Sequence, residues 1–175
     1  LLSEKTGEVP ESAKQAVKEA RSKGHLVFIN TGRVYPHTWQ IRSEIEVDGC
    51  LCGCGTYVLA EGRVLYYYHI PRERGIRIKK DIDECGLDGA LEGVDGCYFH
   101  RTISRMPRVE ELKAALREAG CAGRYDWEDD CYDFDKFCVF ADEQSDLAGF
   151  SRALGLEYNI IDRGDGFYEC VPADY

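Results

Sequence analysis

Residues 27–33 of the chain read VFINTGR, and the fold of the surrounding sequence can be worked out from this stretch. The segment from His25 to Ile29 does not alternate apolar with polar residues, which is typical of a strand covered on both faces. It then runs into Thr31, Gly32 and Arg33, which bring a hydroxyl, a flexible backbone amide and a cation together. An ordinary turn with a hydroxyl cap has the same composition. The three residues alone leave both interpretations open, an ordinary turn and a site for an anionic group at the tip of this strand.

The residues before the strand predict an amphipathic helix over 9–24. Pro10 suits a first helical position, and Gly24 ends the pattern. Small apolar residues recur on one helical face: Ala13, Ala16, Val17 and Ala20. A helix, a short loop and a buried strand make half of a βαβ unit, which indicates an α/β fold. The strand that would precede the helix is missing, and the first residue is Leu1, so we expect a piece of a longer protein.

The residues after the strand predict a helix over 34–46, a strand over 47–57 and a hairpin that turns at Glu61-Gly62. The pattern changes at Pro71. Beyond it we predict helices over 72–85, 108–119 and 144–154, strands over 97–100, 136–141, 156–161 and 167–171, and an acidic loop over 124–135. The sequence therefore predicts two domains, residues 1–70 and residues 71–175.

The composition narrows the class of protein. Of the 175 residues 44% are apolar, enough for a folded core, and no run of 18 apolar residues predicts a membrane span. The net charge is −10; residues 1–70 carry eight basic and eight acidic side chains, whereas residues 71–175 carry 14 and 24. Such a surface repels phosphate backbones, so we expect no nucleic acid partner. Nine cysteines without a secretory signal predict free thiols in the cytoplasm.

Two segments raise the question of a metal site. Cys50, Cys52 and Cys54 alternate along a predicted strand, but such residues cannot converge on one ion without a sharp bend. We favour buried small residues there and leave a metal site open. Residues 126–135 hold six carboxylates but lack the glycine of a calcium loop, so a solvated loop is favoured. His100 lies beside a predicted strand, and we interpret it as a packed or surface histidine.

The order of these segments resembles the haloacid dehalogenase-like hydrolases, in their Cof-type phosphatase branch. The resemblance is carried by LLSEKTGEVPESAKQAVKEARSKGHLVFINTGR, by DGCLCGCGTYVLAEGRVLYYYHIP and by the closing FYECVPADY, and it covers essentially the whole chain. In that family a Ser or Thr ends the second core strand and is commonly followed by Gly-Arg, as in Thr31-Gly32-Arg33. The resemblance implies a partial Rossmann-like core in residues 1–70 and an inserted α/β cap in residues 71–175.

The resemblance also implies a function, the magnesium-dependent hydrolysis of a small phosphorylated metabolite. Thr31, Gly32 and Arg33 would hold the phosphate group. The family's Asp-x-Asp-Gly-Thr motif, its lysine and its magnesium-binding aspartates are absent from this sequence. We therefore assign no catalytic residue and no metal ligand within the chain, expect Mg²⁺ only in the complete protein, and predict that the chain alone is inactive. Pairing with another copy, or with a chain carrying the rest, is one way to cover the apolar edges of such a core.

Two functions of other classes stay open at this point. One is a non-catalytic binding module built from the cap. The other is a thiol-metal module around the three alternating cysteines. If the protein is a phosphatase, the resemblance implies that the cap selects the substrate. The sequence of residues 71–175 does not indicate whether that substrate is a sugar phosphate, a nucleotide or a cofactor phosphate.

Overall fold

The computed structural model describes residues 8–173 and divides into two compact units, of which the first ends at Tyr67 and the second begins at Tyr68. Helices and strands alternate along both units, which confirms the α/β fold class. No described helix has the length and apolar character needed to cross a membrane.

The first unit contains a four-stranded sheet and two helices. Its elements are α1 (Glu11–Ser22), β1 (Phe28–Asn30), a 3₁₀ turn (Tyr35–Thr38), α2 (Trp39–Glu44), β2 (Gly49–Cys52), a second 3₁₀ turn (Gly53–Gly55), β3 (Tyr57–Ala60) and β4 (Arg63–Tyr67). The strand order is β1-β2-β3-β4, in which β1 is parallel to β2 and the other pairs are antiparallel. The predicted hairpin is confirmed, and both turn residues, Glu61 and Gly62, have positive φ as a tight two-residue turn requires.

The prediction that the strand before Thr31 is covered on both faces is wrong. The strand comprises Phe28–Asn30, and only Ile29 is buried, whereas Phe28 is 39% exposed and Asn30 is exposed. The reason is its place at the edge of the sheet: among the described residues β1 pairs with β2 alone. The apolar run therefore marks a strand at the edge of the sheet that residues 8–173 form.

The second unit contains a five-stranded antiparallel sheet and three helices. Its elements are α3 (Arg72–Glu84), β5 (Asp88–Gly93), β6 (Gly96–Tyr98), α4 (Pro107–Glu118), β7 (Lys136–Phe140), α5 (Leu147–Leu154), β8 (Tyr158–Asp162) and β9 (Phe167–Pro172). The strand order is β6-β5-β7-β9-β8. The sequence does not predict β5, because DGALEG has few residues that favour strands. It becomes a strand because β6 and β7 pair with it on either side.

The apolar core of the second unit lies on one face of this sheet. Phe137 of β7 is fully buried and contacts the rings of Phe134, Phe150 and Tyr158, while Ile78 and Ile82 of α3 are also fully buried. Ile78 and Ile82 are four residues apart and therefore lie on one face of α3, which is the face that joins the core.

Candidate functional site

The Thr31-Gly32-Arg33 turn is fixed by backbone hydrogen bonds to the end of the neighbouring strand. The Thr31 amide donates to the Leu51 carbonyl at 2.9 Å, and the Gly53 amide donates to the Arg33 carbonyl at 2.8 Å. Within the turn, the Arg33 amide donates to the Thr31 hydroxyl oxygen at 3.2 Å. Thr31 is half-buried, whereas Gly32 and Arg33 are exposed. The turn therefore has a defined shape and still meets solvent.

A cavity of about 590 Å³ lies along the open edge of β1. Its apolar lining comes from α1, β1, α2 and their flanks, and Asn30, Thr31 and Arg33 line it at the strand tip. The apolar lining residues are Val17, Val27, Phe28, Ile29, Ile41, Ile45 and Val47. The structure thus places Thr31 and Arg33 on one cavity, whereas Gly32 is not among its lining residues.

The charge of this cavity favours an anion. Arg33 is the only charged residue among those that line it, and no carboxylate lies in its wall within the described part of the chain. Mg²⁺ is bound in proteins through carboxylate oxygens and substrate phosphates. The cavity residues consequently do not fit a magnesium ion, whereas the polar end of the cavity, formed by Asn30, Thr31 and Arg33, fits an anionic group that accepts hydrogen bonds.

Arg42, which the sequence analysis does not single out, ties together the segment that follows the turn. Its Nε donates to the Thr38 hydroxyl at 2.9 Å, and one of its terminal nitrogens donates to the Tyr35 hydroxyl at 2.8 Å. The guanidinium also lies 4.1 Å from the centre of the Tyr35 ring. Because these contacts join the 3₁₀ turn to α2, Arg42 fixes the course of the chain just beyond Arg33. The spacing of four residues between Thr38 and Arg42 is the one sequence pattern that could have predicted this contact, because side chains so spaced on a helix lie next to each other.

The three alternating cysteines do not form a three-ligand metal centre. Cys50 and Cys52 are buried on one side of β2, but Cys54 is exposed in a turn with a φ of 60°. Within residues 8–173 their sulfur atoms are not part of a group of three ligand atoms close enough to share an ion. Burial raises the pKa of the Cys52 thiol to about 12, which keeps it protonated and a poor metal ligand.

We expect thiol modification of the folded chain to separate the nine cysteines into clear classes. Cys54 and Cys131 are exposed and should react rapidly with Ellman's reagent, and half-buried Cys85 should react more slowly. The other six are buried and should react only after unfolding, because the reactive form is the thiolate and the reagent must reach it. Cys54→Ser and Cys131→Ser should each remove one fast equivalent. Rapid reaction of more than two thiols in the folded chain would contradict this burial pattern.

The acidic segment 124–135 is held by cations of the protein rather than arranged as a calcium loop. Lys79 of α3 donates to the carbonyls of Trp127 and Asp129, at 2.7 and 2.9 Å, and to the carboxylate of Asp130 at 2.6 Å. Two further ion pairs hold the segment, one between Arg101 and Asp126 and one between Arg72 and Asp133. The described acids of this segment do not form a metal-binding group.

Comparison with known proteins points to one family. A family model described as haloacid dehalogenase-like hydrolase matches residues 1–173. A Bacillus subtilis protein named "Putative phosphatase YkrA" is 32% identical over 76 residues, which are 43% of this chain and 30% of that protein.

Two solved structures share the fold at lower identity. A hypothetical protein from Geobacillus kaustophilus HTA426 superposes with a TM-score of 0.81 at 22% identity, over 99% of this chain and 65% of that one. BT1666 from Bacteroides thetaiotaomicron, described among the phosphatases of the haloalkanoate enzyme superfamily, gives a TM-score of 0.75 at 23% identity, over 99% of this chain and 63% of that one. The chain thus spans about two thirds of the length of these structures.

Proposed function

The chain belongs to the haloacid dehalogenase-like hydrolases, and from this premise we propose that the protein hydrolyses phosphate monoesters of small metabolites in the cytoplasm. The observation that carries the proposal is the placement of Thr31 and Arg33 on a cavity whose described wall contains a cation and no carboxylate. This is the composition that a phosphoryl group needs, because charge-assisted hydrogen bonds from Arg and a hydroxyl stabilise its oxygens.

Each residue of the turn would have a separate role. The bond from the Arg33 amide occupies a lone pair of the Thr31 oxygen, so the hydroxyl proton can still donate to a phosphoryl oxygen. Gly32 would let the ligand approach the backbone amide, because it has no side chain. The Arg33 guanidinium would pair with a remaining phosphoryl oxygen or with an anionic group of the substrate.

The attacking group is not assigned to this chain. Hydrolysis through a phosphoenzyme needs a carboxylate in line with phosphorus and a second acid for the leaving alcohol. The described cavity wall provides neither, and it does not fit the Mg²⁺ that we propose as the cofactor of the complete protein. We therefore propose that these groups come from polypeptide beyond the cavity residues, and we route no step of the reaction through the metal.

The first unit has the features of a core that needs a further strand. Among residues 8–173 one edge of β1 has no partner strand, Phe28 is 39% exposed, and no residue of α1 is fully buried although the helix has an apolar face. A parallel strand beside β1 would fill the apolar part of the cavity, bury these surfaces and place its carboxyl end next to Thr31. The phosphate group would then lie at the strand tip, beside Thr31 and Arg33. We propose that the first unit is part of the hydrolase core and that the second unit, close to the predicted range 71–175, is the cap.

The test is the turnover of p-nitrophenyl phosphate with magnesium. We expect the protein encoded by the complete reading frame to hydrolyse it, and we expect residues 1–175 alone to show no turnover above the buffer. A Thr31→Ala variant of the 175-residue chain controls for contaminating phosphatases, because contaminants would not respond to the change. Turnover by the 175-residue chain that disappears in the variant would show that the chain has its own nucleophile.

A further inference from the structure

His100 follows β6 in the second unit, and carboxylates from three segments of that unit surround its ring. Its Nε2 lies 3.1 Å from Oδ1 of Asp83, in the last turn of α3, and 4.0 Å from Oδ1 of Asp88, at the start of β5. Its Nδ1 lies 3.3 Å from Oε1 of Glu128, in the acidic segment 124–135. The imidazole therefore joins the acidic segment to the end of α3 and the start of β5, which lie about 40 residues earlier in the sequence.

The acidic segment also packs directly on the histidine ring. The rings of His100 and Trp127 are stacked with their centres 4.3 Å apart, and Trp127 is only 2% exposed. The Trp127 amide donates to the Phe99 carbonyl at 2.8 Å, one residue before the histidine. The segment is thus held against the end of β6 by its backbone, its tryptophan and its glutamate.

Only the protonated form of His100 can make all of these polar contacts. A neutral imidazole has one N–H donor, and its other nitrogen carries a lone pair. Because a carboxylate faces each ring nitrogen, a neutral ring would direct its lone pair at a carboxylate oxygen on one side. The imidazolium ion, which has a donor on each nitrogen, hydrogen-bonds on both sides and carries the charge that the carboxylates favour.

We propose that His100 is a proton-dependent latch that fixes segment 124–135 to α3 and β5, and that the segment loosens when the ring loses its proton. The loosening is local. Glu128 also accepts hydrogen bonds from the Arg101 amide, at 3.2 Å to each oxygen, and Lys79 holds the carbonyls of Trp127 and Asp129 independently of His100. The inference does not depend on the proposed phosphatase function.

The electrostatics set the pH range of the latch. Burial alone would lower the pKa of His100, but the hydrogen bonds with Asp83 and Glu128 and the charges of Asp88 and Asp83 outweigh it and raise the pKa above its ordinary value of 6.5. A pKa that is higher in the folded than in the unfolded state stabilises the fold fully below the unfolded value. That contribution is lost as the pH rises through the folded pKa. The latch is therefore closed below pH 6.5 and opens as the pH rises through the raised pKa of His100.

The test combines an NMR titration of the histidine rings with hydrogen exchange of segment 124–135. The chain has four histidines, so the His100 signals can be assigned by their loss in His100→Gln. We expect His100 to titrate above 6.5. Through the same pH range, protection of the segment should fall about threefold to tenfold after correction for intrinsic exchange, the size of one lost hydrogen bond.

Two variants make the result decisive. His100→Gln should show the low protection at every pH, and His25→Gln, at an exposed position of the first unit, should keep the wild-type pH dependence. Protection that is constant with pH in the wild type, or a pH dependence that survives in His100→Gln, would overturn the latch. Should His100→Gln fail to fold, Asp83→Asn and Glu128→Gln still test it, because each removes one facing charge and should lower the pKa of His100. An unchanged pKa in both would also overturn it.

Discussion

Replacing Thr31 by valine is expected to lower kcat of the complete protein toward p-nitrophenyl phosphate by about 10²- to 10³-fold, the usual loss when one hydrogen-bond donor to a developing oxyanion is removed. Valine keeps the shape of threonine and removes the hydroxyl that we propose donates to a phosphoryl oxygen. Because this bond strengthens as charge develops in the transition state, kcat and kcat/KM should fall by similar factors and KM should change little.

The control variant for this position is Thr31→Ser, which keeps the hydroxyl. It should retain activity within about tenfold of the wild type, since a single lost methyl group at a half-buried position has a small effect. Thr31→Val also loses the bond from the Arg33 amide, at a cost of about 1 kcal/mol, so the variant should remain folded. A folded Thr31→Val protein with wild-type kcat would refute the phosphate-binding role of the turn.

Replacing Phe137 by alanine should lower the free energy of unfolding of the second unit by about 3–5 kcal/mol. Phe137 is fully buried in the central part of β7, and its ring meets Phe134, Phe150 and Tyr158 edge to face at centre distances of 6.1, 6.4 and 5.6 Å. The substitution would leave a cavity among these rings, and sheet residues held on both sides by hydrogen bonds cannot collapse into it.

Urea denaturation followed by near-ultraviolet circular dichroism measures this loss. Leu156→Ala is the matched control, because that side chain is 97% exposed and its truncation should change the stability by less than about 0.5 kcal/mol. A loss below 1 kcal/mol in Phe137→Ala, with an unchanged dependence on urea, would mean that the ring is not part of the core as described.

The parts of the fold that the sequence predicts are those with strong local signals. Gly24 and Gly120 both adopt positive φ just after the ends of α1 and α4, where their place in the sequence predicts helix ends. The hairpin follows from a turn pair between two runs of strand-forming residues. In each case the preference of a few adjacent residues agrees with the tertiary structure, so local reasoning succeeds.

Strand β5 shows why other parts could not be predicted. Its Gly89 lies so near β7 that a Cβ at this position would come 2.0 Å from the Cys138 carbonyl oxygen. Glycine is needed for that close approach, yet in the sequence it reads as a residue that weakens strands. The requirement depends on a partner far along the chain, and no local preference contains it.

The same distinction applies to the two functional features. The Thr31-Gly32-Arg33 turn is contiguous and follows an apolar segment, so its residues could be identified before the cavity was known. The polar partners of His100 come from the end of α3, from β5, which the sequence did not predict, and from the acidic segment 124–135. No spacing rule connects such positions, and only the fold brings them together.

The chain holds two tryptophans, and the structure gives one to each unit in opposite surroundings. Trp39 in α2 is 50% exposed, whereas Trp127 in the second unit is 2% exposed and stacked on an imidazole. The fluorescence emission maximum should therefore be red-shifted for Trp39 and blue-shifted for Trp127. Each emission should respond to unfolding of the unit that contains the tryptophan. One optical measurement, with Trp39→Phe as reference, can thus follow the two halves of this protein separately without any added dye.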